Sequence, residues 1–131
     1  MQMKRIFTTD SPYTRQARFM AIAWTLLIFI GCLMPAHEIP RVDVPLADKW
    51  THFLMFGIFS FLWLCARPAY TFRSLLILLL ITVFLGCLIE YLQGMLTFLG
   101  RSMEIMDAVA DAIGGLLGIV MFRLGAYFAR V

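Results

Sequence analysis

Long apolar runs separated by short polar connections set the pattern of this chain. The first run extends from Ala17 to Met34 and is closed by Pro35, with Lys4, Arg5, Arg15 and Arg18 ahead of it. The second runs from about Lys49 to Ala66, the third from Ser74 to about Leu96, and the fourth from about Met106 to Leu124. A helix needs about 20 residues to cross the hydrocarbon core of a bilayer, in a range of roughly 17 to 25, and each run falls within it. The pattern predicts an all-α membrane protein built as a bundle of four transmembrane helices. Connections such as Arg67 to Arg73 and Thr97 to Ile105 are short enough to make sequential neighbours antiparallel. A basic tail before an apolar run resembles a signal peptide, but no small-x-small cleavage site follows, so the first run is expected to stay as an uncleaved anchor.

Composition narrows the class further. Of 131 residues, 62% are hydrophobic and 15% charged, whereas a soluble domain is about half apolar and a quarter charged. One membrane domain over residues 1–131 is expected, with no room for a second. The net charge of +3 comes from dispersed basic residues with no aromatic-interleaved patch, which excludes a nucleic-acid partner. Cys32, Cys65 and Cys87 are odd in number and widely spaced, giving neither a disulfide framework nor a zinc motif; they read as small buried apolar residues. No GxSxG, Walker, HExxH or CxxC pattern occurs, so no cofactor and no metal are assigned.

Orientation follows from the basic residues beside the spans. The N-terminal tail, Arg67, Arg73, Arg123 and Arg130 place eight on one side, against Arg41, Lys49 and Arg101 on the other. Both termini are expected in the cytoplasm, which leaves the outer ends of spans two, three and four facing the extracytoplasmic side.

Those outer ends carry the ionisable residues. The uninterrupted apolar part of the second span, Phe53 to Ala66, is too short alone, so His52 must lie at or just inside the interface. Ala112 to Phe122 likewise needs Asp107 and Asp111 to complete the fourth span, and Glu90 lies within the third. Charges in a span usually face a bundle interior or a water-filled cavity. Gly86, Glu90 and Gly94 are spaced by four, with Gln93 beside them, and Gly114 and Gly118 form a GxxxG pair beside Asp107 and Asp111. Such spacing stacks side chains on one face, and glycines there let another helix approach closely, either in the bundle core or in a dimer. Asp48 and His52 are also spaced by four, with Lys49 three before His52.

Glu90 lies 17 residues beyond Arg73, about 25 Å along a helix axis, which puts it within two turns of the outer surface. The pattern predicts a shallow outward pocket lined by Asp48, Lys49, His52, Glu90, Gln93, Arg101, Asp107 and Asp111, not a channel. Five acids, with Glu104 included, face Lys49 and Arg101. Like charges crowded in low dielectric cannot all stay ionised, so the cluster needs a proton, a metal, a ligand amine or protonated His52. His52 and Arg101 are expected to partner Glu90 and Asp107. A structural role competes with this reading: Asp48 and Asp107 sit where helices start and suit N-caps, and Glu90, Gln93 and Asp111 suit interhelical glue. Glue returns only about 0.6 kcal/mol per hydrogen bond, whereas a charge near a helix centre costs about 2.5–3.5 kcal/mol on insertion scales, which favours a functional cluster.

Four pieces, Asp48-Lys49-x-x-His52-x-x-x-Phe56, Glu90-x-x-Gln93, Arg101, and Asp107 followed by Gly114 and Gly118, resemble the VanZ-like family, named for a teicoplanin-resistance protein. They run in family order over Pro45 to Gly118, more than half of the chain. The chain departs from the family at Asp111, where asparagine is frequent. The resemblance implies a multi-span protein of the bacterial inner membrane, linked to the cell envelope and, for the namesake, to reduced teicoplanin sensitivity; it brings no reaction with it. Two readings follow. In one, the outward pocket binds or modulates a polar or lipid-linked envelope precursor. In the other, the protein is a hydrolase or transferase on a lipid-linked substrate at the outer leaflet, with His52 as base, Glu90 or Asp107 as acid and Arg101 holding an anionic group. A variant of the second has His52 and the carboxylates binding Zn²⁺ or Mn²⁺. Proton-coupled transport ranks last, because no polar residue continues a path toward Arg67 and Arg73.

Overall fold

The apolar runs end where the backbone cannot continue a helix. Arg67 precedes Pro68 and takes an extended conformation (φ −144°, ψ 82°), because the proline ring excludes helical geometry from the residue before it. Gly100 adopts the left-handed region at φ 63°, which glycine enters without steric cost. The structure, a computed structural model, describes residues 3–130. Four long helices result: α1 (Thr14–Cys32), α2 (Ala47–Ala66), α3 (Phe72–Met95) and α4 (Ile105–Arg130), with single 3-10 turns at Met3–Phe7, Ala36–Glu38 and Thr97–Leu99. All four are long and apolar enough to cross a membrane, and no strand occurs among the described residues. Met1, Gln2 and Val131 lie outside the described residues, as do the side chains of Lys4 and Arg130, which count toward the charge asymmetry.

The helices overrun the apolar runs by a few residues. α1 begins at Thr14, three residues before the expected span, and α4 continues to Arg130, since backbone hydrogen bonding does not stop where hydropathy does. Thr71 caps α3 by accepting the Ser74 N–H at 3.3 Å, the bond expected of a good N-cap. Asp48 and Asp107 do not cap. Both lie inside the first turn, where their charge still meets the positive end of the helix dipole. Leu46, just ahead of α2, takes φ 58°, an uncommon conformation for a residue with a side chain, and this reversal sets Asp48 and Lys49 at the helix start.

Close packing centres on α2 and α4. A Cβ at Gly114 would run into the Phe53 carbonyl, and one at Gly118 into the Gly57 carbonyl, so the two backbones meet with no side chain between them, as small residues allow in membrane helices. Gly114 and Gly118 therefore face α2 within the chain. α1 rests on α2 through Trp24 Nε1, which donates to the Met55 carbonyl at 2.9 Å, and through Trp63 Nε1, which donates to Thr25 Oγ1 at 3.2 Å. α3 reaches the pair through Thr82, 3.1 Å from Ser60 Oγ, beside Gly115. At the end opposite the ionisable cluster, Phe7, Phe61, Tyr70 and Phe122 pack ring on ring, the Tyr70 hydroxyl donates to the Phe7 carbonyl, and Arg123 lies 5.6 Å over the Tyr70 ring.

Outward faces are apolar: Phe19, Leu26, Ile30, Leu80, Phe84, Leu116 and Phe128 are exposed. A surface so continuously apolar would be an aggregation liability in water and fits a bilayer. Cys32 and Cys65 are buried as expected, but Cys87 is exposed. It stands one residue, or about 100°, past buried Gly86 on α3, which turns it off the packed face.

Candidate functional site

Three helix ends deliver the ionisable residues to one place. The first turns of α2 bring Asp48, Lys49 and His52; the first turns of α4 bring Asp107 and Asp111; the last turns of α3 bring Glu90 and Gln93. The buried residues of α3 are Thr82, Gly86, Ile89, Glu90 and Gln93, the helical stripe that faces the other helices. Leu99, buried in the α3–α4 connection, leads the chain to Glu104 beside them.

The site has two layers. In the outer one, Lys49 Nζ donates to Glu104 Oε2 at 2.8 Å, Asp107 Oδ1 at 3.0 Å and Asp48 Oδ2 at 3.2 Å. Asp48 and Glu104 are exposed, so their share of this network is worth little, about 0–1 kcal/mol per pair. The inner layer is closed. His52 is 3% exposed, Glu90 1%, Asp107 4% and Asp111 0%. His52 Nδ1 lies 2.9 Å from Asp111 Oδ1 and 3.9 Å from Glu90 Oε1, while Nε2 lies 3.9 Å from Asp107 Oδ2. Asp107 thus belongs to both layers, one oxygen on Lys49 and the other toward His52.

Glu90 Oε2 accepts the Glu104 backbone N–H at 2.8 Å, which ties α3 to the residue ahead of α4. Its other oxygen, Oε1, has no hydrogen-bond partner among the described residues, and neither has Asp111 Oδ2. Leaving such a group buried and unsatisfied costs roughly 1–3 kcal/mol. Two unpartnered carboxylate oxygens in one closed layer therefore mark a place where something positive or hydrogen-bonding is needed. Gly86 makes the room: a Cβ there would stand 2.7 Å from Asp111 Oδ2.

Several expected residues take other parts. Arg101 is half-buried and forms no ion pair or hydrogen bond among the described residues; Lys49, not Arg101, neutralises Asp107. α3 ends at Met95, and the left-handed Gly100 closes the following 3-10 turn just before Arg101, so the position of Arg101 in sequence between Glu90 and Asp107 does not carry its guanidinium onto them. Gln93 is buried, but Nε2 donates to the Cys32 carbonyl at 2.7 Å, satisfying an orphan at the end of α1. Gly94 meets Met103 of the connection, with a Cβ only 3.0 Å from that side chain's own, because α3 ends one residue later and no helix lies opposite. The site also uses Glu104 as a partner of Lys49 and its backbone as a partner of Glu90. The pairing Ser60–Thr82 below the cluster had a faint signal, since Thr82 lies four before Gly86 and eight before Glu90 on the same stripe.

Two groups have the geometry to hold a cation. One ligand atom each from His52, Glu90 and Asp107 lie within 4.8 Å of one another, as do atoms from Asp48, Glu104 and Asp107. The second group already surrounds the Lys49 ammonium. In the first, Lys49 reaches only Asp107, through Oδ1. His52 is also an oriented imidazole, held at Nδ1 by a carboxylate, the arrangement that presents the other nitrogen for proton transfer or ligation.

Residues 5–126 match the model of a protein family described as VanZ/LLP1. No curated protein and no solved structure gave a significant match. The match runs from ahead of α1 to near the end of α4 and takes in every residue of both layers, and on that extent the chain belongs to the VanZ/LLP1 family.

Proposed function

We propose that this chain is an integral protein of the bacterial cytoplasmic membrane whose outward polar centre binds or modulates a polar or lipid-linked envelope component, with a consequent effect on glycopeptide (teicoplanin) sensitivity. The observation that carries the reading is the closed inner layer of His52, Glu90, Asp107 and Asp111, with two carboxylate oxygens unpartnered. Burying these groups is costly, and a purely structural network would satisfy its own members. The helices run alternately up and down, as a single domain, with both termini cytoplasmic. Supporting this are the pairing of Cys32 with Gln93 and His52 with Asp111 at one end, the pairing of Phe7, Phe61 and Phe122 at the other, and the excess of basic residues beside the latter. Entry to the inner layer is past Asp48, Lys49 and Glu104. A Glu90→Ala, Asp107→Ala double variant should lose lipids or ligands that co-purify with the wild type; identical mass-spectrometric profiles for the two would remove the reading's support.

One observation favours an enzymatic version, hydrolysis or group transfer on a lipid-linked substrate at the outer leaflet. His52 is held at Nδ1 by Asp111, and its Nε2 is directed near Asp107 at 3.9 Å, which is how a general base is oriented. In that version Glu90 or Asp107 acts as the acid, and Lys49, not Arg101, is the cation nearest an anionic group. Turnover of envelope lipid extracts by wild type and not by His52→Gln would select it over simple binding.

A further inference from the structure

The inner layer has an excess of ligand atoms over partners. Its three carboxyls face one imidazole, and the nearest ammonium, Lys49, reaches only Asp107 Oδ1. Arg101 pairs with none of them among the described residues. His52 offers one free nitrogen, because Nδ1 is taken by Asp111 Oδ1 at 2.9 Å; Asp107 offers Oδ2, 3.9 Å from His52 Nε2; Glu90 offers Oε1, buried with no hydrogen-bond partner.

From this geometry we infer that the inner layer is a binding site for one divalent cation of the Mn²⁺ or Zn²⁺ class, ligated by His52 Nε2, Asp107 Oδ2 and Glu90 Oε1, with Asp111 orienting the imidazole. Metal–ligand bonds of about 2.0–2.2 Å place two donors on one ion roughly 3–4 Å apart. One donor atom from each of the three residues lies within 4.8 Å of the other two, and Glu90 Oε1, 3.9 Å from His52 Nδ1, would swing toward the Nε2 edge of the ring to complete the shell. One imidazole with carboxylates suits Mn²⁺ and Zn²⁺ better than a hard all-oxygen cation such as Ca²⁺. The His52–Asp111 bond is the arrangement that fixes tautomer and ring direction in metal-ligating histidines, where a carboxylate accepts the proton of the nitrogen facing away from the ion. The outer trio is not a competing site, since Lys49 bonds all three of its acids. Three protein ligands leave a coordination position for water or for an anionic oxygen arriving from outside. The cation would thus supply the positive charge that an acid-rich centre needs before it can receive a phosphate-bearing headgroup.

The inference deepens the reading above and rests on the same buried centre, so metal and lipid are measured separately on the same samples. The full chain is purified in mild detergent, stripped with chelator, dialysed, and titrated with MnCl₂ and with ZnCl₂ by calorimetry and by melting temperature. The expected result is one equivalent bound and a raised melting temperature for the wild type. Affinity should fall at least 100-fold for His52→Gln and for Glu90→Gln, and about 10–100-fold for Asp111→Asn, which keeps the ligands but loosens the ring. A zinc K-edge spectrum of the loaded wild type needs no variant and should show one imidazole with oxygen donors. A helical, monodisperse wild type that takes up neither ion at millimolar concentration overturns the proposal, as does an all-oxygen shell or equal binding by folded Glu90→Gln. If co-purified lipids still depend on Glu90 and Asp107 while no metal binds, the metal site fails and the binding reading stands. If metal binds and lipid profiles are identical, the binding reading fails and the metal site stands.

Discussion

Gly86 has no side chain because Asp111 fills the space where one would stand. A Cβ added there meets Asp111 Oδ2 at 2.7 Å and Asp111 Cβ at 2.9 Å, so Gly86→Ala must push the carboxyl away from His52. Overpacking of this kind costs about 1–3 kcal/mol, and the expected outcome is a lower melting temperature together with weakened function at the site. Charge removal should behave differently. Glu90→Gln retains an oxygen for the Glu104 N–H, and Asp107→Asn one for Lys49, while each relieves crowding among buried carboxyls. Functional sites are held at the expense of stability, so both variants are expected to melt in detergent at or above the wild-type temperature. A large loss in both would make the acids mutual structural partners and demote the site. That these acids share a depth was readable from span length, because Phe53 to Ala66 and Ala112 to Phe122 are each too short alone. Which atoms face which was not readable, and Asp111 proved to be the residue that holds His52.

Helix pairs differ in how much a methyl group matters. Between α2 and α4 the contact is backbone on backbone, and a Cβ at Gly114 or Gly118 meets a carbonyl of α2 that no rotamer change can move. Gly114→Ala and Gly118→Ala should each cost about 3 kcal/mol, the upper end of the usual overpacking range, and show it as loss of monodisperse, folded protein. Gly94→Ala is the milder comparison: a Cβ there would stand 3.0 Å from Met103 Cβ, against 2.1 Å from a carbonyl oxygen at Gly114 and at Gly118. The connection need give only a few tenths of an ångström, and alanine gains up to about 1 kcal/mol over glycine in a helix, so the variant should be clearly less destabilised than the other two. Gln93→Leu tests the α1–α3 tie. It strands the Cys32 carbonyl at a cost of about 1–3 kcal/mol with no change expected in metal uptake. Gly86 and Gly94 look equivalent in sequence, four residues on either side of Glu90. They differ because α3 stops at Met95, so only Gly86 has a helix across from it.

At the scale of the whole molecule, the proposed orientation across the bilayer makes its own predictions. The proposed cytoplasmic placement of both termini predicts that a C-terminal fluorescent-protein fusion fluoresces and that a C-terminal alkaline phosphatase fusion is inactive. Ser102 is exposed in the connection that leads to Glu104, and a Ser102→Cys variant should react with an impermeant thiol reagent in intact spheroplasts. Labelling only after permeabilisation would reverse the orientation and put the polar centre on the cytoplasmic side.

The order of residues was enough to state four helices, their approximate ends, the apolar exterior and the common depth of the ionisable groups, because span length, helical periodicity and the cost of charge in lipid act along one segment at a time. It also carried the family resemblance. Pairings between segments came only from packing. The rotation and axial offset of one helix against another depend on where backbones touch, here at Gly57, Gly114 and Gly118. Those contacts put Asp111 on His52, gave Lys49 the role expected of Arg101, turned Gln93 toward the end of α1, and left Glu90 Oε1 and Asp111 Oδ2 facing a closed layer with no hydrogen-bond partner.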